Sequence, residues 1–179
     1  MTGWSTTAWP FGERTAPAGR PLEVPQPEIH GLGQVRLRIR EAIFLEGAIV
    51  TARECREMVR EWLSEGTFDE RLPEVSALRR VPQPEEYHGE GDAFIHTMLA
   101  MEAVDDDADP RVFWGALLHD IGKSAKTVFE GGRWRSVGHA EAGAEMVPAV
   151  MERIGLPDLT SDVVWLVKHH LFHFSWNLG

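Results

Sequence analysis

The sequence predicts an all-α protein: a bundle of helices preceded by an irregular leader and interrupted at most by one small hairpin. Three observations carry this expectation. Apolar residues recur at helical spacing in one stretch after Thr51 and in four stretches beyond Gly91. Residue types that start and stop helices flank those stretches, and no internal repeat or low-complexity block points to another architecture. With 179 residues, 43% of them hydrophobic and 26% charged, the chain can bury one ordinary core without disulfides.

Residues 1–30 hold Pro10, Pro17, Pro21, Pro25 and Pro27 among glycines, which suits an extended leader pinned by Trp4, Trp9 and Phe11. Residues 31–179 are expected to form the single domain. Over 34–46 the spacing of Val35, Leu37, Ile39, Ile43 and Phe44 favours a helix and leaves a strand open. Thr51 and Glu54 form a capping box, and Cys55, Met58, Val59 and Trp62 then repeat at helical spacing up to Gly66. Residues 67–91 read as loop, with a short helix around Leu72 to Leu78.

The second half predicts helices over 92–104, 110–122, 138–154 and 160–173. Asp109 before Pro110 starts the second of these, Gly155 and Pro157 stop the third, and Thr160 or Ser161 caps the fourth. Between the second and third, residues 128–136 suit a small hairpin turning at Gly131-Gly132.

The lone cysteine, Cys55, has no internal partner, and neither an export leader nor a long apolar run is evident, so a cytoplasmic protein without membrane contact is expected. A net charge of −10 argues against broad nonspecific adhesion to nucleic acid.

Chemistry is concentrated in one half. Of eight histidines, seven lie between His88 and His173, six of them on predicted helices. His119-Asp120 follows the apolar run from Val112 to Leu118, which should be buried. A buried imidazole and carboxylate need a partner, and a divalent cation supplies one to both; the alternative is a His-Asp hydrogen bond that only supports packing. Nitrogen and carboxylate donors together suit manganese, iron, cobalt, nickel or zinc. Asp120, with two oxygens, can bridge two such ions.

The run Leu117-Leu-His-Asp-Ile-Gly-Lys123, with Ile95-His96-Thr97 before it and Gly138-His139-Ala-Glu-Ala-Gly143 and Val167-Lys-His-His170 after it, resembles the HD-domain phosphohydrolase superfamily. The resemblance spans roughly residues 85–175. It implies a helical bundle around one or two divalent transition metal ions. His96, His119 and Asp120 would hold the first; His139 with His169 or His170 would hold the second. Lys123 would lie beside the substrate phosphate, or else be a solvated lysine at a helix end.

The segment Glu86-Tyr-His-Gly-Glu-Gly-Asp-Ala-Phe-Ile-His96-Thr further resembles the HD domains of bacterial CCA-adding tRNA nucleotidyltransferases and of RNA-repair proteins that join an HD module to a polynucleotide kinase. The implied activity is phosphoester hydrolysis at RNA 3′ ends or on small nucleotides, opening 2′,3′-cyclic phosphates and removing 2′-phosphates. His88, Glu90 and Asp92 would shape the pocket and position water, or cap the helix that presents His96. Lys123, with Arg79, Arg80 or Lys168, would hold phosphate oxygens.

One departure from the superfamily pattern is the absence of a late aspartate ligand after the paired histidines. Either that ligand is missing, or the chain is the front of a longer polypeptide carrying a kinase or other RNA-processing domain. The alternatives to RNA-end hydrolysis are a 5′-nucleotidase or nucleoside polyphosphate hydrolase, and a noncatalytic nucleotide-sensing module.

Overall fold

Thr51, in extended conformation, opens the first helix that the computed structural model describes, α1 (Ala52–Glu65). Its N–H donates to the Glu54 carboxylate at 2.9 Å, completing the capping box, and Gly66 at φ 73° ends the helix in the left-handed conformation that glycine adopts without strain. The residues described are 51–83 and 91–172; the expected leader, the 34–46 element and the segment carrying His88 and Glu90 lie outside them.

The single short helix expected around Leu72 to Leu78 is instead two, α2 (Phe68–Arg71) and α3 (Pro73–Ser76). Leu72, at φ −130° and ψ 57°, breaks them apart because the residue before a proline is pushed out of the α region.

Helix α4 (Ala93–Glu102) starts at Asp92, whose carboxylate accepts from the Ile95 N–H at 3.0 Å and from the Arg80 N–H at 2.9 Å. One side chain thus caps the helix and holds the incoming turn, in which Arg80 takes a left-handed φ of 70°. Helix α5 (Pro110–Leu118) opens as expected, with Pro110 in its first turn and Asp109 accepting from the Arg111 N–H at 2.8 Å. Replacing Asp109 with alanine is expected to cost about 1 kcal/mol and lower Tm by roughly 2–4 °C in a thermal melt.

Helix α5 was expected to run to residue 122; it stops at Leu118. From there the chain tightens into three-residue hydrogen bonds, Ile121 N–H to Leu118 carbonyl and Lys123 N–H to Asp120 carbonyl. His119 and Asp120 therefore sit in a turn, followed by the short α6 (Lys123–Lys126).

Strands β1 (Val128–Glu130) and β2 (Arg133–Arg135) form the hairpin, with Val128 opposite Arg135 and both turn glycines at positive φ. Helix α7 (His139–Ile154) ends at Gly155, and a 3₁₀ turn at Pro157–Leu159 leads into α8 (Thr160–His169). Neither Thr160 nor Ser161 caps α8, because the 3₁₀ turn already supplies its first turn, with Leu159 in helical conformation at the cap position. The continuous helix stops at His169, short of the expected residue 173.

The helices pack α1 on α5, α5 on α4, and α8 on both α5 and α7. Trp114, Phe113, Leu117, Leu118, Ile121, Met151 and Val167 are fully buried where they meet. Among the described residues no helix is long and apolar enough to cross a membrane. The architecture is an all-α bundle with one small hairpin, as the sequence predicts.

Candidate metal centre

Four separate elements converge on Asp120. The apolar stripe of α5 buries Leu117 and Leu118, so the turn that follows delivers Asp120 to the interior at 2% exposure. His119 stands beside it, its Nε2 3.1 Å from Asp120 Oδ2. Helix α4 contributes His96, with Nε2 3.8 Å from the same oxygen. His139, the first residue of α7, brings Nε2 to 3.2 Å from Oδ1, and His170, just past α8, brings its own to 3.7 Å. The donor atoms fall into two groups that share the aspartate: His96, His119 and Asp120; and Asp120, His139 and His170.

The geometry determines which ring nitrogen faces inward. Nδ1 of His119 lies 2.7 Å from the Ala116 carbonyl, Nδ1 of His139 2.7 Å from that of Ser136, and Nδ1 of His170 2.7 Å from that of Val167. A carbonyl only accepts, so each Nδ1 carries the proton and donates it. In the neutral ring, Nε2 then bears a lone pair. Three such lone pairs point at a carboxylate, and those of His139 and His170 lie 3.1 Å from each other.

This arrangement needs positive charge at its centre, supplied either by protons on Nε2 or by a metal ion. Burial would push the Asp120 carboxyl up, but the His119 and His139 rings, with protons on their facing nitrogens, and the Lys123 ammonium outweigh it and hold the group well below the usual carboxylate range. Asp120 is therefore an anion. Burial, reinforced by charge on the neighbouring histidines, pushes His170 down to about 4, so that ring is neutral near pH 7 and offers its lone pair. Protonating all the rings would crowd like charges around one carboxylate, whereas an ion satisfies them together. Asp120 Oδ2 is also buried without an aligned hydrogen-bond donor. Imidazole nitrogens and a carboxylate suit a divalent transition ion, and the residues present can hold one.

Lys123 is not a solvated lysine at a helix end. Its Nζ lies 2.7 Å from Asp120 Oδ2 and 2.6 Å from Gln83 Oε1, and the residue is 9% exposed. Gln83 was not singled out from the sequence. It sits between two prolines in a loop, and only the tertiary fold connects it to Lys123.

Other expected residues stand apart from the aspartate. Of the adjacent pair at the end of α8, His170 reaches Asp120; His169 lines the cleft without joining either ligand group, exposed, its ring stacked on Trp165 and its Nδ1 bonded to the Trp165 carbonyl. Arg79 pairs with Asp69 at 2.7 Å and lies over the Phe94 ring, Arg80 is exposed, and Lys168 is exposed on α8. None of these three cations is among the residues lining the cleft above the centre; charge alone singled them out, and charge does not specify position. Asp92 acts as the cap of the helix that presents His96.

The cleft has a volume of about 980 Å³. Its walls include Gln83, Lys123 and the five inward-facing ligand candidates, with Trp134 from β2 and Trp165 from α8. Neither tryptophan stood out in the sequence as a wall residue.

The HD domain family model matches residues 90–177. Among curated proteins, the chain is similar to the multifunctional CCA protein of Halorhodospira halophila, 39% identical over 119 residues, covering 66% of this chain and 28% of that protein. It is also similar to the multifunctional CCA proteins of Legionella pneumophila, 34% identical over 56% of this chain and 24% of that protein, and of Pseudomonas fluorescens, 36% identical over 57% and 25%. The chain thus spans about a quarter of the length of these curated relatives. No solved structure matches it. The helices, the histidine-aspartate turn at their centre and the family-model match together identify residues 90–177 as an HD domain.

Proposed function

We propose that the chain is a metal-dependent phosphoesterase acting on RNA 2′,3′-cyclic phosphate or 2′-phosphate ends, or on the corresponding 2′-nucleotides. The observation that carries this reading is Asp120: a buried carboxylate shared by two groups of metal-ligand atoms, with a buried lysine ammonium beside it. His96, His119 and Asp120 would hold one divalent ion of manganese, iron, cobalt, nickel or zinc, and Asp120, His139 and His170 a second. Bound there, such ions supply a Lewis acid for the phosphoryl group and a water of lowered pKa.

The chain's own residues do the rest. Lys123 balances the charge of Asp120, donates one N–H to Gln83 and keeps donor capacity for a phosphoryl oxygen. The Nδ1 bonds of His119, His139 and His170 keep the inward nitrogens in the ligand form. Trp134, Trp165, Val112 and Leu171 give the cleft apolar walls and offer faces to a nucleobase. His88 completes the catalytic set with Asp120 and Lys123 in this reading. The similarity to multifunctional CCA proteins supports an RNA end as the setting.

Trp165 is 61% exposed on the cleft wall even with the His169 ring stacked on it, which leaves indole surface for a nucleobase. Stacking is worth about 1–3 kcal/mol per base. Replacing Trp165 with alanine is therefore expected to raise KM for nucleotide substrates by about 5- to 100-fold. Inhibition by inorganic phosphate, which has no base, should stay as it is; equal losses for both would refute the stacking role.

A second reading, hydrolysis of 5′-nucleotides or nucleoside polyphosphates, is favoured by the cleft lining. Lys123 is the one lysine or arginine among the described lining residues, which suits a small nucleotide as well as an RNA end. The experiment measures metal content of the purified chain together with phosphate release from 2′,3′-cyclic AMP, 2′-AMP and 5′-AMP, for wild type and Asp120→Ala. Metal and 2′-directed hydrolysis, both lost in the variant, support the first reading. Hydrolysis of 5′-AMP alone selects the second. Bound metal with no turnover of any ester overturns both and leaves a binding module.

A further inference from the structure

Gln83 lies in the wall of the cleft and is 8% exposed. Its Oε1 accepts from the Lys123 ammonium at 2.6 Å. A lysine only donates, so the amide can face it solely through oxygen, and this fixes Nε2 on the other side. Among the described residues Nε2 is buried and has no hydrogen-bond partner. Buried polar groups in native proteins nearly always find partners, so an orphan donor in the wall of a ligand cleft calls for an acceptor that arrives with the ligand.

The backbone holds this residue in place. Val81 donates to the Leu78 carbonyl and accepts from the Ala93 N–H, tying the segment before Gln83 both to the end of α3 and to the start of α4. The Lys123 Nζ has three N–H donors; one goes to Gln83, and the ammonium pairs in charge with Asp120 at 2.7 Å. The wall therefore holds unspent donors on two groups joined by one hydrogen bond, the Gln83 amide nitrogen and the Lys123 ammonium. Donors on two neighbouring groups match an anionic oxygen, and they suit neither a cation nor an apolar group.

We infer that Gln83 contacts the substrate: its Nε2 donates to a non-bridging phosphoryl oxygen that also receives the free N–H of Lys123. The inference rests on the phosphoesterase reading above for the chemical class of the ligand. Gln83 then has two functions in one amide, with oxygen positioning the lysine and nitrogen touching the anion.

Gln83→Glu separates the two. Glutamate keeps an acceptor for Lys123 and removes the donor, setting a carboxylate against the anion. The test uses the full metal-loaded chain and reads metal content, kcat and KM on whichever phosphoester the wild type hydrolyses, and affinity for inorganic phosphate by titration calorimetry. Gln83→Glu should keep its metal while kcat/KM and phosphate affinity fall by about 10- to 100-fold, the scale of one hydrogen bond to a charged group. Gln83→Met, which cannot bond to Lys123 or to phosphate, should lose phosphate affinity at least as far, and it reads the same contact should the glutamate variant fail to fold.

Wild-type hydrolysis matched by Gln83→Glu, with phosphate affinity unchanged, overturns the inference alone and leaves Gln83 as a support for Lys123. Absence of hydrolysis in the wild type overturns the phosphoesterase reading instead. Phosphate affinity unchanged in both variants overturns the inference whatever the wild type hydrolyses.

Discussion

Asp120→Ala is expected to strip the protein of its metal and to reduce phosphoester hydrolysis by about 10²–10³-fold or more, as when a preorganised electrostatic element is removed from an active site. The size of the effect follows from sharing. Every ligand group that the described residues form includes this carboxylate, so one substitution breaks both. The variant also leaves the Lys123 ammonium buried beside Gln83 without its counter-ion. Removing one member of a buried pair costs on the order of 3–5 kcal/mol, here offset in part because three imidazole lone pairs no longer face an anion. Elemental analysis and a thermal melt measure the two effects separately. Asp120→Asn, which keeps the volume and loses the charge, should lose the metal with nearly the same severity. Stoichiometric metal retained in either variant would show that the ligand groups do not depend on Asp120.

Gly122→Ala is expected to be nearly as damaging, for a reason that charge and hydropathy do not reveal. Gly122 has an ordinary helical φ of −68°, so backbone freedom does not require glycine there. Close approach does. A Cβ at this position would lie 2.1 Å from the His139 carbonyl oxygen and 2.5 Å from the Gly143 nitrogen, both backbone atoms of α7. Neither can rotate away, so α7 must shift, and His139 is its first residue. Overpacking of this kind costs about 1–3 kcal/mol or more. A displacement on the order of 1 Å at a reacting centre can cost about 10²-fold in rate. Gly115→Ala is the comparison: its Cβ would meet Leu166 at Cδ1, 2.9 Å, and Cβ, 3.1 Å, side-chain atoms at longer range rather than two backbone atoms at 2.1 and 2.5 Å. Metal affinity and activity should collapse in Gly122→Ala and change far less in Gly115→Ala. Similar losses in both would refute the backbone-contact argument.

What could be read from the sequence was whatever is encoded locally. The Thr51–Glu54 box, the Asp109-Pro110 start, the Gly131-Gly132 turn and the Gly155 stop each involve residues a few positions apart, and each holds in the structure. The end of α5 could not be read, because no stop residue directly follows Leu118; the chain tightens into three-residue hydrogen bonds there, just before Gly122 meets the α7 backbone. The ordered motifs located His96, His119, Asp120, His139 and the pair at 169–170. Choosing between the pair takes a rotation of one residue about the helix axis, which only the docked position of α8 settles in favour of His170. Arg79, Arg80 and Lys168 were named for their charge, and charge carries no direction. Gln83 and the two cleft tryptophans were missed for the complementary reason: each acquires its role from partners far away in sequence.

The Nδ1 protons of His119, His139 and His170 all go to a carbonyl three positions earlier in the same stretch of chain. Which nitrogen each ring offers is therefore written into a four-residue turn, while where it is offered is decided by the packing of whole helices. The two kinds of damage separate accordingly. A cavity in the distant core moves ligands apart and leaves their chemical identity intact, whereas a broken turn changes the identity of one ligand and leaves the frame standing. Such a turn is portable: placed at another helix end with a free carbonyl at the right offset, the same four residues would present the same nitrogen.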